Sequence, residues 1–219
     1  MDHAIAGTRL DRLGFGGVLT GALVCAPEEA HLAVIRGVAL GVHIDRADED
    51  LCLRVLHEEA PVGTDVEVLY GQAVITFGGL HNAFVNQGLQ RFLDVAFNAT
   101  EGSLSGVSHI GLSADAQAVT ASTTSLDPAG GASGTSIKAV ANVSRTGQTM
   151  HADQTWTQAD VGWAIRKIGL LYGPSASDVI NIIGGVGGSS PFNEDFTIDL
   201  TAISSWSLTM GIDVTATAS

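Results

Sequence analysis

The sequence predicts a mainly β protein, in which a small N-terminal β unit is followed by one amphipathic helix and an antiparallel β-sandwich. Three observations carry this. From Trp206 to Ala218 large apolar residues alternate with small or polar ones. In an extended chain that places Trp206, Leu208, Met210, Ile212 and Val214 on one side and Ser207, Thr209, Asp213 and Thr215 on the other, the mark of a half-buried strand. Short stretches of similar style recur through the second half, separated by turn residues. Finally, 27 glycines and 5 prolines in 219 residues suit many short strands joined by tight turns.

In chain order, Leu10 to Thr20 is glycine-spaced and weakly apolar, an arm or a first strand. His31 to Ile44 is rich in Val, Ile and Leu and reads as one or two strands, closed by the charged turn Asp45 to Asp50. Leu51 to Leu56 and Asp65 to Tyr70 read as strands on either side of a turn at Glu58 to Gly63, and Val74 to Phe77 ends the block. Helical spacing of Val85, Leu89, Phe92, Leu93, Ala96 and Phe97 predicts one long helix with those residues on its buried face. The glycine pair Gly78 and Gly79 ahead of it marks the expected boundary between a unit of residues 1–78 and a domain of residues 79–219.

Val107 to Leu112 reads as the next strand. Ala114 to Gly134, small and polar, is expected to be an exposed connection. Strands are then predicted at Ser136 to Val143, Gln148 to Thr155, Ala164 to Tyr172, Asp178 to Ile183, Asp195 to Ala202 and Ser205 to Ala216, with a hairpin turn at Arg145 to Gly147. Thr157 and Asp160 have the spacing of a capped helical turn ahead of Trp163.

Charge narrows the function classes. With 23 acidic against 10 basic residues the chain carries a formal charge of −13, and an anionic surface repels phosphate backbones, so no nucleic-acid partner is expected. No apolar run reaches the roughly 18 to 20 residues that span a bilayer, because Arg36, His43 and Asp45 interrupt the best candidate, and no membrane partner is expected. The start, Met1 to Arg9, is short and polar, so a signal peptide is not expected either. Cys25 and Cys52 match no short metal or redox spacing and read as buried thiols.

The motifs that could carry chemistry resolve into structural readings. Ile182 to Gly188 (IIGGVGG) lacks the following helix that a phosphate-cradling loop needs, and reads as a hairpin loop. Gly102 to Gly106 puts Leu104 where a nucleophile elbow needs serine. Ser133 to Ser136 has no companion histidine and aspartate motif. The histidines at 3, 31, 43, 57, 81, 109 and 151 form no close pair with zinc-ligand spacing. Asp45, Asp48, Glu49 and Asp50 lack the glycine and terminal glutamate of a calcium loop and read as a solvated turn, with a weak cation site as the alternative. Glu58 with Glu59, or Asp195 with Asp199, could pair carboxylates for glycoside hydrolysis, but the latter two are too far apart along one strand. Trp156, Trp163 and Trp206 read as core, with a sugar-stacking platform as the alternative. No catalytic, cofactor-binding or metal-binding residue is therefore assigned, no cofactor is expected, and the chain is read as a non-enzyme.

One resemblance adds to this. Asn82 to Leu93 (NAFVNQGLQRFL), Ile110 to Asp115 (IGLSAD), Thr155 to Leu170 (TWTQADVGWAIRKIGL) and the final alternating strand, in that order, resemble accessory virion proteins of tailed bacteriophages over roughly residues 80 to 218. Lys167 departs from the pattern, which would carry an acid there. The resemblance implies a structural role in the virion as a capsid decoration, cement or spike protein, assembled as a homotrimer or other symmetric oligomer on major capsid or tail proteins. A tail-accessory or fibre protein that binds a host surface glycan is the alternative. In that picture residues 1–78, with Phe15, Val34, Ile35, Val38 and Leu40, would dock on the particle, and their removal would leave a folded remainder.

Overall fold

The computed structural model describes residues 13–35, 38–40, 42–45, 52–55, 64–69, 72–97, 106–127, 134–185 and 196–218. The strands are β1 (Leu13–Cys25), β2 (Val34–Ile35), β3 (Val38–Ala39), β4 (Val42–Asp45), β5 (Cys52–Val55), β6 (Thr64–Leu69) and β7 (Gln72–Phe84). Then come helix α1 (Asn86–Phe97) and strands β8 (His109–Ser113), β9 (Thr135–Ala139), β10 (Asn142–Thr146), β11 (Thr149–Thr157), β12 (Lys167–Leu171), β13 (Val179–Gly184), β14 (Ile198–Asp199) and β15 (Trp206–Ala218). A short 3-10 segment, Pro27–Leu32, follows β1. The fold is mainly β and antiparallel, as the patterning predicts.

Ten strands form one sheet in the order β10-β11-β15-β1-β7-β13-β12-β8-β9, with β6 also on β7. Its two outermost strands are consecutive in the chain. Between them Val140 donates its N–H to Ser108 O at 3.0 Å and Ala141 to Asp153 O at 2.8 Å, so the backbone leaves the β8 side and joins the β11 side within two residues. Lys138 on β9 reaches across to Thr155 O (3.1 Å) and Asp160 Oδ2 (2.7 Å), and Gln154 Nε2 donates to Ala139 O. The sheet thereby curls into two layers joined where the chain passes from β9 to β10, much as a bend forms the corner of an orthogonal sandwich. Its interior is one cluster drawn from both layers: Leu19, Leu23, Ile75, Trp156, Leu208 and Ile212 from one, Ile110, Leu112, Ile168 and Leu170 from the other.

The boundary expected at residue 78 is corrected by this topology. It falls inside β7, and β1 lies between β7 and β15, paired with the latter from Leu13↔Ala218 to Cys25↔Trp206. Strands β1 and β7, which begin in the first 78 residues, are thus inner strands of the same sheet, and their core residues Leu19, Leu23 and Ile75 share one cluster with Trp156, Leu208 and Ile212 from the second half. A remainder lacking them would lose the neighbour of β15, so the expectation of a separately folded residue 79–219 domain is withdrawn.

The β8/β12/β13 layer is buried on both faces. Ile110, Leu112, Ile168 and Ile183 face the interior, while Leu171, Val179 and Ile182 face a second cluster with Val85, Val119 and Leu126. The Ala114 to Gly134 connection, expected to be exposed, is in part a cover. Its described residues form no regular element, yet Val119 and Leu126 are fully buried, and hydrogen bonds from Asn86 N–H to Ala121 O and from Leu126 N–H to Ala176 O, both 2.8 Å, dock it. Two apolar residues in a polar stretch are enough to seat it.

The helix exists as predicted, and among its described side chains one departs from the expected buried face. Leu89 is exposed, whereas Gly88 is buried so closely on β13 that a Cβ there would lie 1.8 Å from Ile180 O. Gln87 donates to Tyr172 Oη (3.2 Å) and Ser177 O (2.7 Å), and the Arg91 guanidinium stacks 4.7 Å from the Tyr172 ring centre. Close backbone approach at a glycine seats the first turn of α1 on β13. The strand expected over Asp195 to Ala202 shrinks to β14, paired with β2, and the β10–β11 turn, expected from Arg145, begins only at Gly147, which takes φ +59°. Thr157 forms the predicted turn: its N–H and Oγ1 donate to Asp160 Oδ2 at 2.8 and 2.9 Å. The Lys138 hydrogen bond, outweighing burial and joined by those from Thr157, holds the Asp160 carboxyl below its usual range.

Candidate functional site

Two clusters of polar side chains stand out. The first lies on the outer face of β11 and β15, where strand alternation brings one polar row of each together: Thr149 faces Thr215, His151 faces Asp213, Asp153 faces Gly211 and Thr155 faces Thr209. The threonine pairs share hydrogen bonds of 2.8 Å between their hydroxyls. His151 lies between two carboxylates, Nδ1 at 2.6 Å from Asp213 Oδ1 and Nε2 at 3.2 Å from Asp153 Oδ2. Asn142 Nδ2 donates to the other Asp153 oxygen at 2.8 Å. A Cβ at Gly211 would lie 2.8 Å from His151 Cε1, so the glycine opens the space over which the ring lies.

With a carboxylate at each ring nitrogen, the doubly protonated imidazolium satisfies both contacts and either neutral tautomer satisfies one. Burial alone would lower the His151 pKa, but the hydrogen bonds and charges of Asp213 and Asp153 reverse this and raise it above its ordinary value. The same geometry disfavours a metal: the carboxylates address opposite nitrogens and do not converge on one point. Among the described residues no group of three or more His, Cys, Asp or Glu is arranged to hold a metal ion. Beside the cluster a trough of about 400 Å³ is lined by Thr20, Thr76, Thr209, His151 and Asp153 over a floor that includes Gly21 and Gly211.

The second cluster is buried on the opposite layer. Lys167, on β12, is fully buried and in direct contact with Asp115 Oδ2, itself 8 % exposed. Ser113, in register opposite Lys167 and fully buried, accepts the Asp115 N–H at 3.0 Å. The lysine that departs from the virion-protein pattern is thus paired with the aspartate that ends the IGLSAD motif.

The remaining sequence candidates fall in three groups. Trp156 and Trp206 are buried in the core and Trp163 packs against it, as expected. Asp199 accepts from Thr201 Oγ1 at 2.6 Å and its N–H at 3.0 Å, closing a local turn. Gly184 and Gly185 take φ of +108° and +83°, and Gly185 bridges Phe196, so the glycine run leads from β13 toward a returning extended segment. Cys25 is a free, buried thiol. The second group, Glu58, Glu59, Asp48, Glu49, Asp50, Asp195, Leu104 and Ser133, lies outside the described residues, as do the side chains of Asp45, His43, His81 and Cys52. The third is what sequence reading missed. His151 and Asp153 share a strand face by simple alternation, a legible signal, whereas Asp213 joins them from 62 residues away.

No protein-family model, no curated protein and no solved structure matches the chain.

Proposed function

We propose that the chain is a non-enzymatic structural component of a tailed-virus particle, a capsid decoration, cement or spike protein that works as a symmetric oligomer. The observation that carries this is the placement of the tryptophans. Trp156 and Trp206 lie inside the curled sheet rather than along an open cleft beside acids, which favours an architectural part over a ligand-handling one. The charged pairs support it: His151 with Asp213 joins β11 to β15, Lys138 with Asp160 joins β9 to the turn after β11, and Lys167 with Asp115 joins β12 to its covering segment. Each ties structural elements together. The order of the IGLSAD and KIGL motifs supplies the virion part of the reading.

The test is quantitative mass spectrometry of purified particles from a phage that encodes this chain. Copy numbers near those of the major shell subunit indicate decoration, and a handful per particle indicates a spike or tail location. Absence from the particles rejects the proposal. A second reading, a tail-accessory or fibre protein that binds a surface glycan, is favoured by the trough that sets Thr20, Thr76, Thr209, His151 and Asp153 beside the apolar Ala22 and Phe77. Glycan-array binding that is lost in Asp153→Ala would favour it over the first.

A further inference from the structure

We propose that Lys167 and Asp115 condense into an intramolecular amide, a covalent staple between β12 and the segment that covers it. Lys167 is fully buried, and the ammonium it would carry has three N–H donors. Among the described residues its one acceptor is Asp115 Oδ2. A buried ion pair carries a large desolvation penalty in a protein interior. Among the described residues the other Asp115 oxygen accepts a long 3.4 Å hydrogen bond from the Gln117 N–H. A side-chain amide in their place has one donor and one acceptor and no charge, so condensation removes the buried ion pair.

The geometry also presents the reactants. The register sets Lys167 between Ser113 of β8 and Gly184 of β13, where the strands on both sides limit the side chain to the covered face. The Asp115 N–H bond to Ser113 Oγ fixes the turn that aims the carboxyl group at Nζ. Ser113 is a positioning residue in this scheme. Holding the two groups in contact makes an otherwise bimolecular condensation unimolecular. Within the contact a proton passes from Nζ to the carboxylate, giving amine and carboxylic acid. The nitrogen lone pair attacks Asp115 Cγ and a C–N bond forms. The C–O bond to the protonated oxygen then breaks, and that hydroxyl leaves with one amine hydrogen as water. No oxidant, reductant or co-reactant is needed.

The link would close a loop over a sequence separation of 52 residues and fasten the start of the Ala114 to Asp127 cover to the sheet. It stands independently of the virion reading, because its test uses the isolated chain. Intact mass under denaturing conditions should fall short of the sequence mass by one water, and protease digestion should release a branched peptide joining the Asp115 and Lys167 fragments. Lys167→Met and Asp115→Ala should restore the full mass. A wild-type chain with a folded β circular dichroism spectrum and full mass overturns the proposal. A deficit that persists in Lys167→Met, the sign of a cyclised aspartyl residue, overturns it too. Should the variants fail to fold, the wild-type peptide map alone decides, since a branched peptide joining other residues, or none, refutes the assignment.

Discussion

Gly169 of β12 stands directly opposite Gly111 of β8, and the notch that this glycine pair leaves in the outer face of the sheet is filled by Leu126. A Cβ at Gly111 would lie 2.6 Å from Leu126 Cδ2, and one at Gly169 would lie 3.2 Å from its Cδ1. The two Ile-Gly-Leu motifs are therefore antiparallel partners, Ile168 with Leu112 and Leu170 with Ile110, whose leucines and isoleucines face inward while their glycines receive the cover. Leu126→Ala should empty the notch and destabilise the fold by about 2 to 5 kcal/mol, the range for a large-to-small change at a buried leucine. Urea unfolding measures the loss, and limited proteolysis should show faster cutting between Ala114 and Asp127.

Gly88→Ala should destabilise although alanine is the better helix former. In an exposed helix the change gains about 1 kcal/mol. Here the new methyl group meets the Ile180 carbonyl oxygen, a backbone atom that cannot turn aside, so α1 must lift from β13. Overpacking of this kind costs about 1 to 3 kcal/mol. A thermal melt in which the variant equals or exceeds the parent would show that the helix does not rest on this contact.

Stability should decline as pH rises through the His151 titration. The folded-state pKa is raised, so protonation of His151 contributes fully below the unfolded value of about 6.5 and is lost as pH climbs through the higher folded value. For a half-buried pair screened by solvent the change is at most about 1 kcal/mol. Asp213→Asn should flatten this dependence. Chemical unfolding across neutral pH, with NMR titration of the His151 ring, measures both.

Cys25 should resist alkylation in the native protein. Burial, aided by the Glu29 and Glu28 charges, pushes its thiol up to about 11, leaving little thiolate at neutral or mildly alkaline pH. Peptide-resolved mass spectrometry after iodoacetamide treatment at pH 8 should find Cys25 unmodified until denaturant is added. Rapid native labelling of this residue would place it at the surface.

The local physics was legible and the long-range physics was not. Alternation over Trp206 to Val214 identified β15 and its buried side, because a strand with one wet face writes its period into the chain. The Thr157 and Asp160 spacing identified a turn for the same reason, its hydrogen bonds lying within three residues. The Gly78 and Gly79 pair misled because glycine marks linkers and strand positions alike, and here it lies within β7. Leu89 misled because helical periodicity locates an apolar stripe without saying whether a partner covers it. Of the candidate sites, His151 with Asp153 was within reach of alternation. The pairings of Asp213 with His151 and of Asp115 with Lys167 depend on which strands become neighbours, which no local window contains.

The pairing of β1 with β15 has a consequence for biosynthesis. Thr20 and Gly211, in contact across these strands, are 191 residues apart. As the chain emerges from the ribosome, β1 must wait with one backbone edge open until nearly two hundred further residues have been translated. Closure is therefore governed by distant contacts, which form slowly and leave a sticky edge open to neighbouring nascent copies.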